Sequence, residues 1–152
     1  MERKLRSSCP EGARGAKTAK TAVGDGANMD REAIAKIVVQ SFFTVYNQLG
    51  YGFLEKVYEN ALLLELTERG LEVLQQEPIE VFYRGQVMGD YYADLLVAKS
   101  VIVEVKAVEH IALEHEAQVI NYLKATNINI GFVVNFGKQP EIKRKIYETA
   151  RR

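Results

Sequence analysis

Only one cysteine, Cys9, stands in the chain, so neither an intramolecular disulfide nor a cysteine-based metal cluster can be built from it. No apolar run approaches the roughly 18 residues that a membrane-spanning helix needs. An excess of one charge is lacking too. The 20 basic residues balance 20 acidic ones, so bulk charge gives no argument for a nucleic-acid partner, and any such claim must rest on a local site. Residues 1–28 contain almost nothing large and apolar. They hold six Lys/Arg against three acids, and four glycines, a composition that cannot offset its own ordering entropy. They are expected to form a disordered basic tail. That tail has no stretch of about 7–15 apolar residues like that of a secretory signal, which points to the cytoplasm. Its three acids also speak against an organelle transit peptide. Met29 is an alternative start, and the folded unit is expected over residues 29–152.

What is present suits a single domain. The chain has 152 residues, 47% hydrophobic and 26% charged, enough to bury a self-sufficient core. Ile34, Ile37, Val38, Phe42, Val45, Tyr46 and Leu49 recur at helical spacing, with Asp30 as candidate N-cap and Gly50 as stop. A second helix is expected over residues 53–69, ended by Gly70. The period then shifts towards two. Strands are expected over residues 71–76, 79–83 and 87–97, with Arg84, Gly85 and Gln86 as a hairpin turn. Residues 101–106 are β-branched enough for a central strand. A helix over 111–125, a buried strand over 128–136 and a terminal amphipathic helix over 141–152 complete the order. The crossover helix makes the strand after it parallel to its neighbour. The expected fold is α/β, a central mixed sheet with helices on both faces.

The sharpest chemical signal is Asp94 followed by Glu104 and Lys106. Glu104 and Lys106 project to one face of their strand. If residues 98–100 form a three-residue turn, Val97 pairs with Val101 and Asp94 stands opposite Glu104. Opposed like charges demand a cation, either Lys106 or a metal, and oxygen ligands of this kind suit magnesium or manganese. A two-residue turn would instead slip the register and leave unrelated polar residues at a sheet edge. Zinc is disfavoured, because His110 and His115 are five apart and fall on different helix faces. Cys9 lies in the tail without a partner base and is no candidate nucleophile.

Asp94 with Glu104-Val105-Lys106 resembles the signature of the PD-(D/E)XK nuclease superfamily, with Ala93 in place of the proline. Gly52, Glu55 and Tyr58 are similar to the defining motif of the GxxExxY family, a branch of that superfamily, and the resemblance runs over residues 31–147. It implies a restriction-endonuclease-like core of order α-β-β-β-α-β. It also implies a metal-dependent nuclease that hydrolyses DNA or RNA with Mg2+ or Mn2+. Asp94, Glu104 and Glu55 would hold the metal, and Lys106 would sit near the attacking water. Gln118 and Tyr122, four apart on one helix face, resemble the Gln-x-x-x-Tyr motif of RecB-like exonucleases and would orient substrate. Gln118 is thereby also a candidate catalytic residue. Lys138, Lys143, Arg144, Lys145, Arg151 and Arg152 are candidates for phosphate contact, or simply a solvated basic helix end. The alternative function is a non-catalytic module of the same fold, acting with a protein partner that delivers substrate.

Overall fold

Apolar residues spaced three and four apart wind the first segment into a helix. The structure, a computed structural model, describes residues 29–148; the expected tail, Cys9 and residues 149–152 lie outside the described residues. Helix α1 (Arg31–Leu49) buries Ile34, Val38, Phe42 and Val45 on one face. Asp30 precedes it but makes no side-chain capping bond, while Gly50 ends it at φ +65°. Helix α2 (Glu55–Glu68) closes in a Schellman motif, with the Gly70 N–H donating to Thr67 and the Leu71 N–H to Leu66. Gly70 takes the left-handed residue of that motif at φ +89°.

Five strands follow in the spatial order of the chain: β1 (Val73–Tyr83), β2 (Gln86–Val97), β3 (Val101–Lys106), β4 (Ile130–Phe136) and β5 (Pro140–Ile146). Helix α3 (Leu113–Ala125) crosses between β3 and β4 and makes them parallel; every other pairing is antiparallel. The two short strands expected over 71–83 are one continuous strand. Pro78 does not interrupt it because β1 is an edge strand, where a missing N–H need cost no ladder bond. The expected three-residue turn is present. Ala98 and Lys99 adopt φ +49° and +53°, the Ser100 N–H donates to Val97, and Val97 pairs with Val101.

The terminal segment corrects the sequence reading. Residues expected to begin an amphipathic helix at 141 instead form β5, in antiparallel register with β4 from Ile130↔Ile146 to Phe136↔Pro140. A wholly buried β4 would otherwise present a row of unpaired amides and carbonyls, and pairing outweighs the local helical preference of Glu-Ile-Lys-Arg-Lys. The lysines and arginine of this segment therefore stand on an edge strand. Arg144 pairs with Glu32 and Lys145 with Glu116.

The sheet separates two apolar layers. The larger lies under α1 and α2 and includes Phe42, Leu62, Leu95, Val103, Val105, Phe132 and Phe136. The smaller, under α3, holds Ile79, Ala93, Ile102, Val119, Leu123 and Val133. Gly131 lets α3 sit close: a Cβ there would come within 2.4 Å of Val119 Cγ1. Among the described residues no helix is long and apolar enough to cross a membrane.

Candidate active site

Buried β3 carries one acid, Glu104, between Val103 and Val105 of the larger core. Its residue is 3% exposed, on the face turned towards α3. The β2–β3 ladder runs from Val97↔Val101 to Leu95↔Val103 and stops there. One position further, side chains take over the bonding. The Asp94 N–H donates to Glu104 Oε1 at 3.1 Å, and the Val105 N–H donates to Asp94 Oδ2 at 2.8 Å. Asp94 and Glu104 thus stand opposite each other, each fixed by the other strand's backbone.

Burial first, and then the Asp94 charge, push the Glu104 carboxyl up to about 8. Burial also raises Asp94, although the Val105 N–H and Lys106 counter part of that rise. Lys106 favours the ionised form of both acids. It forms no ion pair with either among the described residues, and its side chain is half-buried at the end of β3, opposite Asn135. Asn135, fully buried, fixes the loop that follows. Its Oδ1 accepts the Val108 N–H, and its Nδ2 donates to the Val108 carbonyl and to Glu141.

From α3, Gln118 Nε2 donates to Tyr122 Oη at 2.7 Å, joining the two residues that the i, i+4 spacing put on one face. Tyr122 is buried, and its hydroxyl is pushed up to about 12, first by burial and then by the nearby charge of Glu104. Asp94, Glu104, Lys106, Gln118 and Tyr122 therefore gather at one end of the sheet. The structure does not bring Glu55 to them. Glu55 is exposed at the first position of α2 and makes no hydrogen bond or ion pair among the described residues.

The carboxylate that α2 does direct towards Asp94 is Glu59, one turn further on. Glu59 is 5% exposed and takes hydrogen bonds from Gln75, Gln76 and Lys56. The Gln76 amide bridges the two acids, at 2.8 Å from Glu59 Oε1 and 3.1 Å from Asp94 Oδ1. Gln76 holds this place at φ +54°, a conformation disfavoured for a side chain of its kind, directly across from Asp94. The sequence reading missed both residues, yet a signal existed. Glu59 falls on the buried stripe of Tyr58, Leu62 and Leu66, where an acid has no place without a partner.

Gly52 and Tyr58 build the corner that aims α2. Gly52 sits at φ +112°. Tyr58 Oη donates to the Gly50 carbonyl and accepts the Phe53 N–H, while its ring stacks on Phe136 with centroids 4.3 Å apart. His115 is a helix-end residue whose Nδ1 accepts the Ala112 N–H, and His110 lies 3.7 Å from Glu141.

Among the described residues no group of three or more His, Cys, Asp or Glu side chains lies close enough to hold a metal ion by itself. The donor set still fits a hard cation. Magnesium keeps several waters and binds through one or two carboxylates together with substrate phosphates, and the half-buried Asp94 and buried Glu104 are two opposed carboxyl groups, the Asp94 charge resisting ionisation of Glu104.

A mixed five-stranded sheet flanked by helices, with an Asp and a Glu-x-Lys on adjacent central strands, defines a restriction-endonuclease-like fold. The profile of the PD-(D/E)XK nuclease superfamily matches residues 32–145, and the chain belongs to that superfamily. The crystal structure of SSO0001 is similar in fold, with a TM-score of 0.51 at 17% identity over 61% of this chain. The match spans 50% of the length of SSO0001. No curated protein matches the chain.

Proposed function

We propose that the protein is a metal-dependent nuclease that hydrolyses phosphodiester bonds of DNA or RNA, and that it belongs to the GxxExxY branch. The observation that carries this reading is the Asp94–Glu104 pair, half-buried at Asp94 and buried at Glu104, held by crossed backbone hydrogen bonds with Lys106 beside it. Such a pair can carry both charges only if a cation compensates them; without one, Glu104 keeps its proton up to about pH 8. The roles of Gly52 and Tyr58 in shaping the α2 corner support the branch assignment.

Asp94 and Glu104 would hold Mg2+ or Mn2+, which when bound supplies positive charge for the developing phosphate charge and acidifies water. Glu59 steadies Asp94 through the Gln76 amide. Lys106, close to both acids but tied to neither, is placed to orient the attacking water or to neutralise a phosphate oxygen. Gln118 is placed to position substrate, its amide oriented by the Tyr122 hydroxyl. Tyr122 itself stays protonated at neutral pH and can serve only as a hydrogen-bonding group.

Purified protein incubated with labelled single- and double-stranded DNA and RNA, with Mg2+, Mn2+ or EDTA, tests the proposal. Cleavage that requires the metal and disappears in Glu104→Gln is expected. Absence of metal-dependent cleavage on all four substrates, or equal cleavage by the variant, would contradict it.

A further inference from the structure

The strands β1 and β2 extend well past the rest of the sheet, as a hairpin whose large side chains are not covered. Phe82, Tyr83, Met88, Tyr91 and Tyr92 are each about half exposed or more. Ile79, Val81, Gly89 and Tyr91 alternate onto the hairpin face that looks towards α3. Between this face and α3 lies a cleft of about 880 Å3, lined by Phe82 and Tyr91 on one side and by Gln118, Asn121 and Tyr122 on the other. That volume lies within the range of about 300–1,000 Å3 that takes a small organic group.

The cleft and the candidate active site share one wall. Tyr122 and Gln118 belong to both, since Tyr122 feels the Glu104 charge and its ring lies 6.2 Å from that of Tyr91. Gly89 leaves the space over which the Tyr91 ring lies: a Cβ there would meet the ring at 2.7 Å. A phosphodiester placed at Asp94 and Glu104 therefore has, on the α3 side, a chamber with aromatic faces and two side-chain amides. Its charges, Glu114 and Lys124, offset each other, so the chamber offers stacking and hydrogen bonding rather than general attraction for phosphate. A paired base, already stacked and hydrogen-bonded in a duplex, cannot use it.

We infer that the cleft takes an unpaired nucleobase next to the scissile bond, stacked on Tyr91 and Phe82, so that the substrate is a single-stranded segment or end of a nucleic acid. This rests on the nuclease reading, and it is tested separately from cleavage. Fluorescence anisotropy in EDTA would compare labelled oligo(dT) and oligo(U) with a blunt duplex of equal length, for wild type, Tyr91→Ala, Phe82→Ala and Tyr91→Phe. The single strands are expected to bind more tightly than the duplex. Each alanine variant should weaken single-strand binding by about tenfold while barely affecting the duplex, and Tyr91→Phe should bind as wild type. Phe82 is largely exposed, so its variant keeps the test valid if Tyr91→Ala folds poorly. Equal binding of duplex and single strand, or full binding by Phe82→Ala, would overturn the inference even if metal-dependent cleavage is found. A shift from dimer to monomer in Phe82→Ala, with nucleic-acid binding unchanged, would overturn it in favour of a second copy of the chain. Retained strand-selective binding without any cleavage would sink the nuclease reading instead.

Discussion

Glu104 is a carboxylic acid set into the middle of a sheet, and its surroundings decide its charge. Burial and Asp94 raise it from 4.5 to about 8, so the folded protein holds this proton where the unfolded chain has released it. The linkage follows from that sign. The contribution is fully present below about pH 4.5 and is lost as pH rises towards 8, with a limiting slope of about 1.4 kcal/mol per pH unit for one proton. Metal-free wild-type protein should therefore melt at falling temperature between these limits. Glu104→Gln should flatten that part of the curve, because the amide oxygen still accepts the Asp94 N–H and carries no charge. Melting scans of both proteins in EDTA across this range check it, and parallel curves would contradict the assignment. Asp94, Glu104 and Lys106 were legible in the sequence because period-two alternation and one turn length suffice to place them. Glu59 and Gln76 were not, because they meet Asp94 only through the packing of α2 on β1 and a left-handed backbone residue that no periodicity announces.

Among the elements, α3 matters most for the site, since it carries Gln118 and Tyr122 on the same helix as Val119, which contacts the sheet. The distance of α3 from β4 is set by Gly131, where an added methyl would press on Val119 and approach Leu123. Gly131→Ala should cost about 1–3 kcal/mol, as overpacking does. It should also impair cleavage more than metal-induced stabilisation, since Asp94 and Glu104 lie on other elements. Urea melts, together with cleavage assays at a temperature where the variant stays folded, measure both effects. Helices α1, α2 and α3 and strands β3 and β4 could be read from spacing alone, with ends displaced by a few residues. Strand β5 could not. Its sequence suits an amphipathic helix, and only the open edge of β4, a property of the assembled sheet, turns it into a strand.

At the scale of the whole molecule, the two layers around the sheet do different work. The α1–α2 layer holds most of the core and supplies Glu59 through the corner set by Tyr58. The α3 layer is smaller and opens into the cleft beside the hairpin. The charged groups thus meet at the boundary between a rigid core and an accessible chamber. Balanced net charge hid this organisation from composition; only the local motif revealed it. The most direct measurement is thermal melting of wild type, Glu104→Gln and Lys106→Met at pH 8 with and without Mg2+. Wild type and Lys106→Met should be stabilised by the ion, by about 2.7 kcal/mol once it is at roughly 100 times its dissociation constant. Glu104→Gln should not respond. Wild-type melting indifferent to Mg2+ and Mn2+, or an equal shift in Glu104→Gln, would contradict a metal site at the Asp94–Glu104 pair.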